Sequence, residues 1–210
     1  MATAVTSAAD FLPPHLSLKS LTQAARDCQG CELYKRATQT VFGRGPARAR
    51  LMLVGEVPGD QEDLQGKPFV GPAGRLLDES LAAVGLERDQ VYMTNSVKHF
   101  KWQPRGKRRL HGKPSAREIA ACRPWLEAEI EVVGPQTIVC LGATAAQTLL
   151  GRTFRLTHHL GELIPSSWAK AVIATYHPSS ILRAPEPADR AKMKQQLIHD
   201  LKRAADAGMI

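Results

Sequence analysis

Glu56 and Phe69 sit in a stretch of unusual composition, Gly55-Glu56-Val57-Pro58-Gly59-Asp60, continuing through Pro68-Phe69-Val70-Gly71-Pro72-Ala73-Gly74. Five glycines and three prolines fall in the twenty residues that follow the apolar run 51–54. They can neither extend a strand nor build a regular helix, but they let backbone approach a ligand closely. A carboxylate where the strand gives out, and an aromatic face inside a polar loop, make a pocket for a planar polar molecule. The plainer reading of the same segment is a surface loop anchored by a buried phenylalanine.

Other residues carry chemistry as well. Asn95 closes the β-rich run 91–94 and offers both an amide acceptor and amide donors. His177 follows the run 171–176. Each also has a structural reading, Asn95 as a strand-end turn former and His177 as a satisfied core histidine. Cys28-Gln29-Gly30-Cys31 has C-x-x-C spacing ahead of the core, and Cys122 lies far downstream. By spacing alone the set is open to zinc or iron–sulfur. Cys140, inside Ile138-Val139-Cys140-Leu141, reads as a small buried apolar residue. His158 and His159 read as turn residues without a role.

The elements that must position these groups alternate. Four short β-rich runs, 51–54, 91–94, 137–141 and 171–176, are separated by helical patterns at 73–84, about 116–133, 143–150 and 188–207. Ser115-Ala116-Arg117-Glu118 is a capping box that opens the second of these helices, and Gly134-Pro135 closes it. Such alternation predicts one α/β domain, a three-layer αβα arrangement around a mostly parallel four-stranded sheet. In a parallel sheet Glu56, Asn95, Gly142 and His177 all follow strands onto one edge, where such folds place ligands.

The formal charge is +8, and it is local. Lys98, Lys101, Arg105, Lys107, Arg108, Arg109, Lys113 and Arg117 are eight cations in twenty residues without one Asp or Glu; outside them twenty basic residues face twenty acidic ones. Such a block attracts polyanions, nucleic acid above all, and Phe100 and Trp102 are interleaved as where bases stack. A solvated loop is the alternative. No apolar run approaches the ~20 residues that span a membrane. Residues 1–10 lack the charge and apolar core of an export signal, so a cytoplasmic, nucleoid-associated protein with no disulfide framework is expected. Residues 1–16 read as a loosely held arm.

Together these motifs resemble the uracil-DNA glycosylase superfamily, in its iron–sulfur family 4 branch, from about residue 25 to about residue 205. The resemblance is carried by Gly55-Glu56-x-Pro58-Gly59, Glu62-Asp63-x-x-Gly66-x-Pro68-Phe69-Val70-Gly71, Thr94-Asn95-x-Val97-Lys98 and His177-Pro178-Ser179-Ser180. The family's cysteine after that lysine is His99 here, and its Cys-x-Pro element is Cys122-Arg123-Pro124. Gly106-Lys107-Arg108-Arg109-Leu110-His111 is similar to the arginine-rich, histidine-ended loop of the UdgX type, which excises uracil from DNA and becomes covalently bonded to the sugar. Val57 stands where that type carries Gln and ordinary family 4 enzymes carry Ala.

The resemblance implies a [4Fe–4S] cluster, with zinc as the alternative, held by Cys28, Cys31, His99 and Cys122. It implies uracil contacts at Gly55, Val57, Asp60, Phe69 and Asn95, and DNA contacts at Lys107, Arg108, Arg109 and Ser179. Glu56, His111 and His177 become the catalytic set. Phe69 would stack on an extruded uracil, Asn95 would read its N3–H and O4, and His177 would donate to O2 as negative charge builds there. His111 would capture C1′ as a nucleophile, with Glu56 orienting it or taking its proton. The expected protein is a monomer acting on uracil-containing, preferably single-stranded DNA. A turning-over glycosylase, or a non-catalytic metal-stapled nucleic-acid binder, are the alternatives.

Overall fold

Leu51-Met52-Leu53-Val54 and Ile138-Val139-Cys140-Leu141 are apolar on both faces, so each must lie in a sheet covered on both sides. The computed structural model, which describes residues 7–208, places them so. Its strands are β1 (Leu51–Gly55), β2 (Tyr92–Asn95), β3 (Trp102–Arg105), β4 (Arg108–His111), β5 (Thr137–Leu141), β6 (Leu163–Ile164) and β7 (Ala171–Thr175). Its helices are α1 (Leu18–Ala25), α2 (Asp60–Gln65), α3 (Pro72–Ala82), α4 (Ala116–Val133), α5 (Ala143–Leu150), α6 (Pro178–Arg183) and α7 (Pro187–Gly208).

The main sheet runs β2-β1-β5-β7-β6, parallel except for β6 against β7. It has five strands, one more than expected, because the two-residue β6 is too short to leave a sequence signal. Alternate residues serve opposite faces. Leu51, Leu53, Val139 and Ile173 pack with Leu77 of α3 and Leu197 of α7. Met52, Val54, Ile138 and Val172 pack with Leu126 of α4 and Leu149 of α5. The three-layer αβα arrangement follows from that alternation.

Three segments differ from expectation. The glycine-rich stretch contains a helix after all: Asp60–Gln65 has no Gly or Pro inside it, Gly59 and Gly66 bound it, and three acids fill its first turn. The basic segment is a hairpin, β3 pairing with β4 around Gly106-Lys107, with Gly106 at φ 58°. A glycine-led two-residue turn is a hairpin signal, but its charged strands show no apolar alternation. The arm over residues 1–16 is not loose where it is described. Residues 1–6 lie outside the described residues, but Ser7 caps a 3₁₀ turn, Ala8–Phe11, that buries Ala8. Gly30 lies so close to this turn that a Cβ there would stand 2.6 Å from the Ala8 nitrogen.

One polar network is wholly interior. Lys98 Nζ donates to Glu129 Oε2 at 2.5 Å, to the Asn95 carbonyl at 2.7 Å and to Thr94 Oγ1 at 2.7 Å. Glu129 Oε1 accepts from the Gly43 N–H, the Tyr92 hydroxyl and Thr94 Oγ1. Both charged side chains are essentially inaccessible to water. Removing one partner strands the other: Lys98→Met is expected to cost about 3–5 kcal/mol in urea unfolding, while Lys98→Met with Glu129→Gln, which removes both charges, recovers at least about half of it. Equal loss in the single and double variants would contradict this account.

Candidate active site

Strand register brings the chemistry together. Gly55 stands beside Asn95, and Leu141 beside Thr175, so the residues that follow these strands share one edge. They open onto a cavity of about 670 Å³ whose walls include Glu56, Val57, Phe69, Asn95, His111 and His177. Gly55 makes the floor: a Cβ there would lie 2.2 Å from Asn95 Oδ1 and 2.8 Å from the Phe69 ring. Asn95 is buried, with its carbonyl fixed by Lys98 and its amide free to face the cavity. Glu62 Oε1 accepts from the Val70 and Gly71 N–H groups at 2.9 and 2.8 Å and so ties down the chain after Phe69.

His177 has a defined tautomer. Its Nδ1 accepts from the Ser179 backbone N–H at 3.0 Å, a group that can only donate. Nδ1 therefore carries no proton, and Nε2–H is left as a donor. Burial, with the charges of Arg183 and His111, pushes the His177 pKa down to about 4. A neutral donor results, centred 6.1 Å from the Phe69 ring. Ser179, expected on DNA, also turns its hydroxyl to Nδ1 at 2.8 Å. Its role here is to orient His177.

Glu56 Oε1 accepts from Thr144 Oγ1 at 2.9 Å, in the first turn of α5. Helix N-termini favour such a carboxylate. His111 ends β4 and faces this group. Burial lowers its pKa, partly offset by Glu56 and by a hydrogen bond from the ring to the Val57 backbone, while Arg183 lowers it further. One ring nitrogen is spent on Val57, which leaves the other available. The Val57 side chain belongs to an interior cluster with Val97 and Trp125, so its site contact is through backbone.

Two of the expected contact residues pair with each other. Arg109 Nε pairs with Asp60 Oδ1 at 2.7 Å and its Nη1 with Asp63 Oδ2 at 2.6 Å, while its guanidinium lies over the Phe100 and Trp102 rings. Arg109 thus docks the hairpin on α2. Asp60 is its partner and is not among the residues of the cavity wall. Phe100 is buried and so is not presented for stacking, while the half-buried Trp102 donates to the Arg36 carbonyl at 2.8 Å. Lys107 and Arg108, at the hairpin tip, remain exposed.

A family profile described as "Uracil DNA glycosylase superfamily" matches residues 42–202. The type-4 uracil-DNA glycosylase of Archaeoglobus fulgidus is 37% identical over 177 residues, spanning 81% of this chain and 85% of that protein. That of Thermotoga maritima is 39% identical, over 79% and 83%, and that of Pyrobaculum aerophilum 33%, over 87% and 92%. The chain belongs to the uracil-DNA glycosylase superfamily. In this member, Thr144 and Arg183 join the site without having stood out in the sequence, and Glu62, quoted there only as a motif residue, gains a defined contact. Thr144 alone had a readable signal, a hydroxyl in a helix's first turn at the strand-end edge.

Three of the four expected metal ligands belong to one interior cluster, Cys28 and Cys122 within it and Cys31 packed against it. The Cys31 thiol is shifted upward chiefly by burial and also by Cys28. Cys122 is pushed up to about 12 by burial, eased by Lys98 and reinforced by Cys31 and Cys28. N–H groups point at two of the sulfurs, Trp125 Nε1 at Cys28 and the Lys98 amide at Cys122, both at 3.2 Å. Buried thiols with N–H donors fit a group that takes thiolates and supplies positive charge. Among the described residues, however, no three His, Cys, Asp or Glu side chains stand as a ready-made grip for one ion. His99 is buried, and the charge it feels is that of Asp63 rather than of a thiol. Cys140 lies in the core, as expected, shifted by burial alone.

These contacts give two measurable outcomes. Nitrogen-15 NMR should find His177 as the neutral Nε2–H form from pH 8 down to about pH 5, protonating only near about 4; titration near the ordinary value of ~6.5 would contradict the burial argument. Arg109→Ala should sharply raise amide exchange across residues 101–112, while Lys107→Ser leaves it unchanged; equal effects would dissolve the distinction between docking residue and tip.

Proposed function

We propose that this chain excises uracil from DNA and that His111 then captures the sugar as a covalent adduct. Membership of the superfamily, and relatives named uracil-DNA glycosylases, support the excision. The observation that carries the capture is that His111, with one ring nitrogen available, borders the same cavity as Glu56, Asn95, Phe69 and His177.

The residues divide the work. A target base must leave the stack, which costs least in a single strand. Phe69 stacks on uracil, and the Asn95 amide pairs with N3–H and O4, an arrangement that cytosine would leave unsatisfied. The C1′–N1 bond breaks with its electron pair on the base, and His177 Nε2–H donates to O2 as charge gathers there, a contribution of ~3–4 kcal/mol. Glu56, held by Thr144, stabilises the oxocarbenium character at the sugar. The lone pair of the available His111 nitrogen bonds C1′, Glu56 offsets the charge of the resulting imidazolium, whose remaining N–H lies on Val57 and passes its proton to solvent, and the uracil anion takes up a proton from solvent in exchange. Lys107 and Arg108 engage phosphates from the hairpin tip.

Cys28, Cys31 and Cys122, with His99 as the fourth ligand, would hold an iron–sulfur cluster. When bound, such a group supplies a cross-link between the N-terminal loop and α4, and no chemical step passes through it. The names of the relatives favour a second reading, a turning-over glycosylase in which His111 only contacts DNA.

A denaturing gel with a single-stranded uracil oligonucleotide separates the readings. The native chain should give a heat- and SDS-stable shifted band. His111→Gly should lose that band and release abasic product, because the groups that stabilise the leaving base remain. Glu56→Gln should reduce band formation by about 10²-fold or more. Abasic product without a band from the native chain would establish turnover, and neither product would contradict excision. Purified protein should be brown, with iron and broad absorption near ~400 nm; stoichiometric zinc without iron would overturn the cluster.

A further inference from the structure

Phe69 is the only non-glycine among the described residues with positive φ, at 54°. A bulky residue in that region is strained, and the conformation persists only where surrounding contacts fix it. The N–H groups after it are held by Glu62. On the α3 side the approach is so close that a Cβ at Gly74 would lie 1.9 Å from the Phe69 carbonyl oxygen. The back of the loop has no such wall. It faces a cleft of about 860 Å³, bordered by Arg44, Lys67, Pro68, Val70, Arg88 and Met93, away from the uracil cavity.

One side chain crosses this cleft. Arg88 Nη2 donates to the Phe69 carbonyl at 2.5 Å and lies 3.3 Å from the Pro68 carbonyl. Its Nε lies 3.3 Å from Asp78 Oδ1 on α3, which orients the guanidinium. We propose that Arg88 is a positioning residue that locks the strained Phe69 peptide, and so sets the plane of the ring against which the base stacks. Arg88 touches neither base nor sugar. It lies in the 3₁₀ turn Arg88–Gln90 just before β2, outside the four sequence motifs. The inference rests on the reading that Phe69 stacks on uracil.

The consequence is coupling between two residues whose side chains act in different cavities. Inhibition of excision by free uracil reads the stacking directly, using the full-length protein and a single-stranded uracil oligonucleotide. Arg88→Ala is expected to weaken that inhibition about tenfold while leaving affinity for uracil-free DNA and the melting temperature essentially unchanged. Arg88→Lys, which keeps a donor for the carbonyl, should restore at least part of it. In a Phe69→Leu background, Arg88→Ala should add less than about twofold, because the ring it positions is gone. The same factor in both backgrounds, or no effect of Arg88→Ala in the native chain, would overturn the inference while leaving the stacking reading intact. If Phe69→Leu alone leaves uracil inhibition unchanged, the stacking reading fails and the inference goes with it.

Discussion

The buried pair of Lys98 and Glu129 is the interaction on which the rest of this structure leans. An ion pair out of contact with water is unfavourable unless every remaining donor and acceptor is met. Here Glu129 takes hydrogen bonds from the Gly43 backbone, Tyr92 and Thr94, and Lys98 spends its other donors on Thr94 and the Asn95 carbonyl. Strand β2, helix α4 and the segment around Gly43 are thereby fixed to one another. Through its backbone N–H the same lysine reaches the sulfur of Cys122. Cys122 and the cavity-lining Asn95 therefore share one residue, a coupling that apolar packing alone would not give with the same directionality.

Around that anchor, the site is organised by groups that remove freedom from other groups. Ser179 leaves His177 a single tautomer, Thr144 occupies one oxygen of Glu56, and Arg109 pins the hairpin that carries His111. Burial then keeps the His177 imidazole neutral, with its pKa pushed down to about 4, and the pKa of His111 is lowered as well. The basic hairpin serves two ends. Its inward arginine is held by carboxylates of α2, and its tip is left exposed to solvent. Net charge alone could not distinguish these roles, because both residues add equally to the sum.

Much of this was legible in the sequence because it depends on backbone periodicity. The doubly covered strands, the helix opened by Ser115 and the convergence of Glu56, Asn95 and His177 on one edge follow from runs and caps that local physics dictates. What the sequence hid depends on contacts between distant segments. Asp60 and Arg109 are 49 positions apart, and nothing local marks either as the partner of the other. The hairpin escaped notice because its strands are charged, and β6 because two residues carry no period. Arg88 sits in a plain turn, yet a carbonyl 19 positions earlier is its partner.

In the proposed reaction, a histidine on a docked hairpin ends the sequence by bonding the sugar. Its most direct measurement is tandem mass spectrometry of the tryptic digest after reaction with a uracil oligonucleotide and nuclease trimming. The account predicts a deoxyribose-phosphate mass on the peptide of residues 110–117, with fragment ions placing it on His111. The same mass on another residue, or only unmodified peptide beside free abasic DNA, would contradict it.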